Sequence, residues 1–225
     1  MPEKKKRRIT TYLAAILFLL GVGFLAIEPL QNYMIEQQSK ETLTVDAADF
    51  QENQSHDGNY DFSSVEEVSV EDVLKIQFSS QELPVIGRIA VPEVGLNLPV
   101  LKGLSNEHLL TGAGTMKPGQ KMGEGNYALA SHNMTDPSLL FAPLHRAEIG
   151  MNVYLTDGKQ FYVYEIKQHK IIEPTEVSVI EDTDQSLVTL ITCNVDGIKR
   201  LLTQGILVET VPVDESDEIA AHFNL

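Results

Sequence analysis

Hydrophobic and polar positions fall into three regimes along the chain. Residues 9–27 (ITTYLAAILFLLGVGFLAI) form an uncharged, largely apolar run; wound as a helix at ~1.5 Å per residue it spans about 28 Å, close to the ~30 Å hydrocarbon core of a bilayer. Residues 31–62 are rich in Gln, Asn, Ser, Asp and Glu and show no sustained apolar period. Such a stretch cannot bury enough surface to offset its ordering entropy, so the pattern predicts a solvated stalk. Ser64-Val65-Glu66-Glu67 has the form of a capping box, and Val65, Val68, Val73 and Ile76 are spaced to line one face of a short helix ending near Phe78.

From Leu83 onward the pattern turns to short β-rich runs punctuated by Gly, Pro and Asp. Strands are predicted over Val85–Val91, Leu96–Leu101, 127–131, Asn152–Thr156, 160–171, 187–192 and 200–211, with short helices over 106–110 and 138–145. Turn signals such as Asp157-Gly158 and Asp196-Gly197 between these runs point to an antiparallel barrel or sandwich. The chain thereby divides into a basic tail (1–8), an apolar span (9–27), a stalk (28–80), a β-rich domain (81–213) and a polar tail (214–225).

Charge orients this arrangement. Lys4, Lys5, Lys6, Arg7 and Arg8 precede the span, and by the positive-inside tendency they keep the amino terminus in the cytoplasm and the β-rich domain on the extracellular face of a single-pass protein. A cleaved signal peptide would have a shorter apolar region of ~7–15 residues and an A-x-A-like end, whereas this run ends Ala26-Ile27-Glu28-Pro29. Overall, 17 Lys and Arg stand against 32 Asp and Glu, a net charge of −15 that argues against a nucleic-acid partner, which needs a basic face. A single cysteine, Cys193, excludes an intrachain disulfide framework and multi-cysteine metal sites.

Cys193 follows the strand-like run 186–192 and precedes the turn Asn194-Val195-Asp196-Gly197. A hairpin closed by Asp196-Gly197 places it directly across from Arg200, with Cβ atoms ~4.5–5.5 Å apart. A guanidinium beside a sulfur lowers the thiol pKa, and it can also stabilise an oxyanion formed when that sulfur attacks a carbonyl. A cysteine nucleophile needs a proton-transfer partner, most often histidine. His56 lies in the stalk and His222 in the tail, while His108, His145 and His169 sit among polar neighbours like ordinary solvated side chains. His132 differs, because like Cys193 it stands at a strand-to-loop junction. The residues alone also fit a cysteine that fills a core and an arginine that is a surface charge.

Thr189-Leu190-Ile191-Thr192-Cys193, an arginine seven positions later, and Leu129-Ala130-Ser131-His132 upstream resemble the signature of class A sortases, transpeptidases of Gram-positive bacteria. The resemblance covers about Leu83 to Val211 and extends to the basic tail, anchor and stalk. It implies an all-β fold, an eight-stranded sortase-type β-barrel. Carried onto the matching positions, Cys193 is the nucleophile, His132 the general acid/base and Arg200 the oxyanion and substrate clamp. Ala130 and Thr192 would touch the sorting peptide, and Val179 with Ile180 would line the pocket for its leucine. Serine at 131 departs from the glycine more common in the family before the histidine.

The implied reaction cleaves an LPxTG-like signal of a surface-protein precursor between Thr and Gly and transfers the protein to the amine of a peptidoglycan precursor (lipid II) at the cell membrane. It needs no cofactor or metal, and the acidic residues Glu176, Glu181, Asp182 and Asp184 read as a solvated loop rather than a calcium site. The rival from another class is an anchored, non-catalytic β-domain that binds a partner while Cys193 fills its core.

Overall fold

The computed structural model describes residues 2–62, 69–78 and 83–223. Eight strands close into a barrel in the order β1-β2-β3-β4-β7-β8-β6-β5. They are β1 (Val85–Val91), β2 (Leu96–Leu101), β3 (Ala113–Thr115), β4 (Asn126–Ala130), β5 (Asn152–Thr156), β6 (Gln160–Ile172), β7 (Leu187–Cys193) and β8 (Arg200–Pro212). The sheet is mixed, not purely antiparallel as the turn signals suggested, since β2 pairs with β3 and β4 with β7 in parallel. Both parallel pairs arise because the connection between the two strands crosses to the other end of the barrel, a distance that a tight turn cannot cover.

Tyr127, Leu129, Leu155, Tyr164, Val188 and Leu190 fill the barrel interior, each almost fully buried. The strand β3 has no legible signal, being three residues of Ala-Gly-Thr. Gly114 at its centre lies so close to the Gly103 carbonyl that a Cβ would sit 2.4 Å from that oxygen. Helix α4 (Asn106–Thr111) is capped by Ser105, whose hydroxyl accepts from the His108 amide. The expected helix over 138–145 is instead a tight loop followed by a 3-10 turn at Ala142–Arg146.

The expected stalk is where sequence and structure differ most. Helix α1 runs without interruption over Pro2–Thr42, so the apolar span continues as a rod into the segment read as solvated. Beyond it lie a 3-10 turn at Ala47–Asp49 and the short helix α2 (Phe50–Asn53). On α1, Ile35, Ser39 and Thr42 are buried against the barrel side, a stripe at helical spacing. Two of its three members are hydroxyl residues, which is why no apolar period showed. Phe50 then packs with Val85 and Leu101, while the Arg88 guanidinium lies 5.8 Å above its ring and donates to the Val45 carbonyl at 3.1 Å.

The Ser64–Glu67 capping box and Val65 and Val68 lie outside the described residues. A capping box does open α3 (Val70–Phe78): the Asp72 amide donates to the Ser69 hydroxyl at 3.1 Å, and the Ser69 amide donates to the Asp72 carboxylate at 3.3 Å. Val73 and Ile76 are buried as their spacing implied. At the other end, the polar tail forms α5 (Asp217–His222), and Phe223 stacks on Phe161 at 5.6 Å between ring centroids.

Candidate active site

Parallel pairing of β4 with β7 sets the register Ala128↔Thr189 and Ala130↔Ile191. His132 and Cys193 each stand two residues further on, so both emerge at the same end of neighbouring strands and on the same face. Hydrogen bonds hold the two strand ends together. The Ser131 amide donates to the Ile191 carbonyl at 3.3 Å, the Thr192 hydroxyl to the Ser131 carbonyl at 2.8 Å, and the Asn133 side chain to the Asn194 carbonyl at 3.4 Å.

That face is the outer side of the barrel wall. Ala128, Ile191, Leu202 and Ile172 form an apolar cluster there, with Leu104, Leu109 and Met116 beside it and Ala130, Val179 and Ile180 packed against it. The inward residues of the same strands belong to the main core. Cys193 is half-buried and unpaired in a disulfide, at the rim of this apolar surface rather than inside the core.

Cys193 pairs with Arg200 across the β7–β8 hairpin. The register is the one the sequence predicts, although the loop is longer than a two-residue turn. Asn194 donates from its amide to the Lys199 carbonyl at 3.1 Å, the Gly197 amide returns to the Asn194 carbonyl at 2.9 Å, and Gly197 has φ +72°. A side chain at 197 would be strained in that left-handed conformation. The Asn194–Lys199 bond makes Cys193–Arg200 a non-hydrogen-bonded pair, the kind with side chains closest, at ~4.5 Å between Cα atoms. One guanidinium nitrogen of Arg200 donates to the Lys199 carbonyl at 3.1 Å and lies 3.3 Å from that of Gly197.

Burial dominates the electrostatics of His132. Desolvation pushes its pKa down to about 4, opposed by the negative charge of Asp72 on α3, and its Nε2 is enclosed without a hydrogen-bond partner. The ring is therefore neutral at pH 7. A histidine whose folded pKa lies below its unfolded value of ~6.5 disfavours the folded state wherever the unfolded chain binds the extra proton. Stability from this group is complete above about pH 6.5 and falls as pH drops toward 4, by up to ~3 kcal/mol at ~1.36 kcal/mol per unit. Denaturant unfolding at pH 7 and pH 4.5 should show a smaller acid loss for His132→Gln than for the parent; an equal loss in both would mean that His132 is not the titrating group.

A sortase domain family matches residues 89–209. The chain belongs to the sortase family, in class A. It is 40% identical to sortase A of Streptococcus agalactiae over 215 residues, covering 92% of this chain and 87% of that one. Sortase A of Listeria monocytogenes is 38% identical over 202 residues, covering 88% and 91%. The crystal structure of Listeria monocytogenes sortase A superposes with a TM-score of 0.60 at 42% identity, covering 63% of this chain and 98% of that chain. The closed eight-stranded barrel is thus a sortase barrel, and the chain is a sortase transpeptidase.

Within this sortase fold the residues singled out from sequence separate into two groups. Cys193, Arg200, His132, Ala130, Val179 and Ile180 gather on or around one outer face. Thr192 does not. It has the inward parity of Leu190, is 2% exposed, and spends its hydroxyl on the Ser131 carbonyl, so its side chain braces the two strand ends and does not line the outer face. His108, His145 and His169 are partly buried rather than freely solvated, and His169 is bonded to Thr203 at 3.0 Å. His56 remains exposed in the loop after α2.

The sequence reading missed Asn126. Its amide nitrogen donates to the carbonyls of Val179 at 2.9 Å and Glu181 at 3.0 Å, and its oxygen accepts from Thr189 at 2.6 Å. Gln204 donates to Thr189 at 2.9 Å and accepts from Gln168 at 3.1 Å. This chain of side chains fixes the 3-10 turn Val177–Ile180 over the apolar face. The only signal in the sequence was a buried-strand position occupied by asparagine, which must find partners.

Proposed function

We propose that this sortase is a membrane-anchored cysteine transpeptidase that cleaves an LPxTG-like sorting signal between Thr and Gly and transfers the upstream protein to the amine of a peptidoglycan precursor, lipid II. What supports the reading most directly is the convergence of one thiol, one neutral imidazole and one guanidinium at the rim of a single apolar groove, contributed by β7, the β4 end and β8.

The extended peptide lies along the outer face, its leucine against Ala130, Val179 and Ile180. The sulfur of Cys193 attacks the threonine carbonyl carbon while His132 takes the thiol proton, and Arg200 donates N–H groups to the oxyanion. Collapse of the tetrahedral species breaks the Thr–Gly C–N bond, and the proton held on His132 passes to the departing glycine amine. A thioacyl enzyme remains. The acceptor amine attacks its carbonyl, His132 takes a proton from that amine, and expulsion of the sulfur followed by return of the proton regenerates the thiol. The basic tail and the apolar part of α1 hold the chain in the membrane with its amino terminus in the cytoplasm, one helix of this kind being present among the described residues.

The test is to incubate the detergent-solubilised chain with an LPxTG peptide, alone and with a soluble oligoglycine or alanyl amine, and to follow intact mass. A peptide adduct on Cys193 that disappears into an amine-linked product is expected. A chain that carries no adduct and releases no glycine fragment would overturn the reading.

A further inference from the structure

The direction in which α1 crosses the barrel fixes which end of the barrel faces the membrane. Met34 and Ile35 pack beside Leu110, Val73 and Ile76, and the next turns of the helix face Gly95, Asn97 and Leu98 across a cavity of about 330 Å³ closed by Ser138, Leu139 and Leu140. Leu139 and Leu140 belong to the loop that follows His132, tied back by the bridge Asn133↔Leu140 and by the Phe141 amide donating to the His132 carbonyl at 3.1 Å. Asn133 in turn bonds Asn194, next to Cys193. The early extracellular turns of α1 therefore stand at the end of the barrel that carries Cys193, His132 and Arg200.

The rest of the segment runs away from that end. Val45 meets Arg88, Phe50 meets Val85 and Leu101, and the Asn53 side chain donates to the Val85 carbonyl at 2.9 Å. These residues mark the open end of the β1–β2 hairpin, opposite its turn at Pro92–Gly95. Ile35 lies eight residues past the end of the apolar run, about 12 Å along the helix, and Tyr33 about 9 Å, the depth of the headgroup layer where aromatic rings collect. Pro29 lies inside α1, where it removes one backbone hydrogen bond, and the helix continues through it.

We propose that α1 is a rigid strut that holds the mouth of the barrel toward the lipid surface, so that the reacting groups meet an amine-bearing acceptor still embedded in the membrane. The exposed apolar tips of the β7–β8 loop, Val195 at 80% and Ile198 at 73% exposure, flank that mouth between Cys193 and Arg200 and are suited to a lipid surface. The inference rests on the anchoring in the proposed function, and its test does not depend on turnover.

The single cysteine makes the orientation measurable. The full chain is reconstituted in liposomes carrying a headgroup-labelled energy acceptor, with a donor dye on Cys193, and is compared with the Cys193→Ala, Ser55→Cys variant, whose dye sits beyond α2 at the opposite end. Seven-residue strands put the two ends about 20 Å apart, and transfer from Cys193 is expected to be roughly twofold higher. A flexible Gly-Ser insert between Leu30 and Gln31 should erase the difference. Equal or weaker transfer from Cys193 in the parent chain, or a difference that survives the insert, overturns the strut. A chain that fails to float with the liposomes removes the anchoring reading, and the proposal with it.

Discussion

Cys193→Ala is expected to abolish both cleavage and transfer of an LPxTG-type peptide, a loss of about 10³-fold or more. No other thiol exists in the chain to take its place. The substitution removes one half-exposed sulfur at the rim of the outer face, so the barrel and its cooperative unfolding should be preserved. Cys193→Ser should be nearly as inactive. With its pKa pushed down to about 4, His132 is a weak base, and a serine hydroxyl, whose proton is held far more tightly than a thiol's, is left almost unactivated beside it. Product formation read by mass spectrometry, alongside thermal unfolding of each variant, checks this. Turnover near the parent rate in a folded Cys193→Ala protein would exclude a covalent intermediate on this residue.

Arg200→Lys is expected to lower turnover by roughly 10²–10³-fold, the ~2.7–4 kcal/mol typical of losing one oxyanion donor. Charge is conserved in this variant, but the planar fork is not. In the ligand-free structure the guanidinium is already engaged with the loop carbonyls of Lys199 and Gly197. An arginine can keep one of these bonds and direct its remaining N–H groups at a developing oxyanion, whereas a lysine ammonium offers no second arm held in a fixed plane. If Arg200 acted only through its charge on the thiol, lysine would restore most of the rate and Arg200→Ala would chiefly shift the pH profile of Cys193 alkylation. Steady-state turnover and that alkylation profile should therefore separate in the lysine variant, and near-normal turnover there would reject the oxyanion role.

The local sequence around the hairpin carried most of this. Alternation along 187–193 and 200–206 with a turn between them is enough to put Cys193 across from Arg200, because register in a hairpin is set by a short loop and a period of two. The apolar run after five basic residues is equally local. The family signature joins His132 to Cys193 without any geometry; spacing does not, since 61 positions separate them and only the parallel β4–β7 pairing brings their strand ends together.

Non-local packing decided the rest. Thr192 and Cys193 are neighbours in sequence, yet the pleat sends one into the core and the other to the groove, which a shared motif does not distinguish. Asn126 gains its role from carbonyls of Val179 and Glu181 more than fifty residues away. The three-residue β3 exists only because β2 and β4 flank it with complementary backbone groups. Sequence by itself determined the anchor, most of the strands and the Cys193–Arg200 pair, all products of short-range period and charge. Only the tertiary structure decided that the polar segment after the apolar run continues as helix with Ile35, Ser39 and Thr42 buried against the barrel, and that the His132 pKa is pushed down, because both depend on water excluded by surfaces that come from distant parts of the chain.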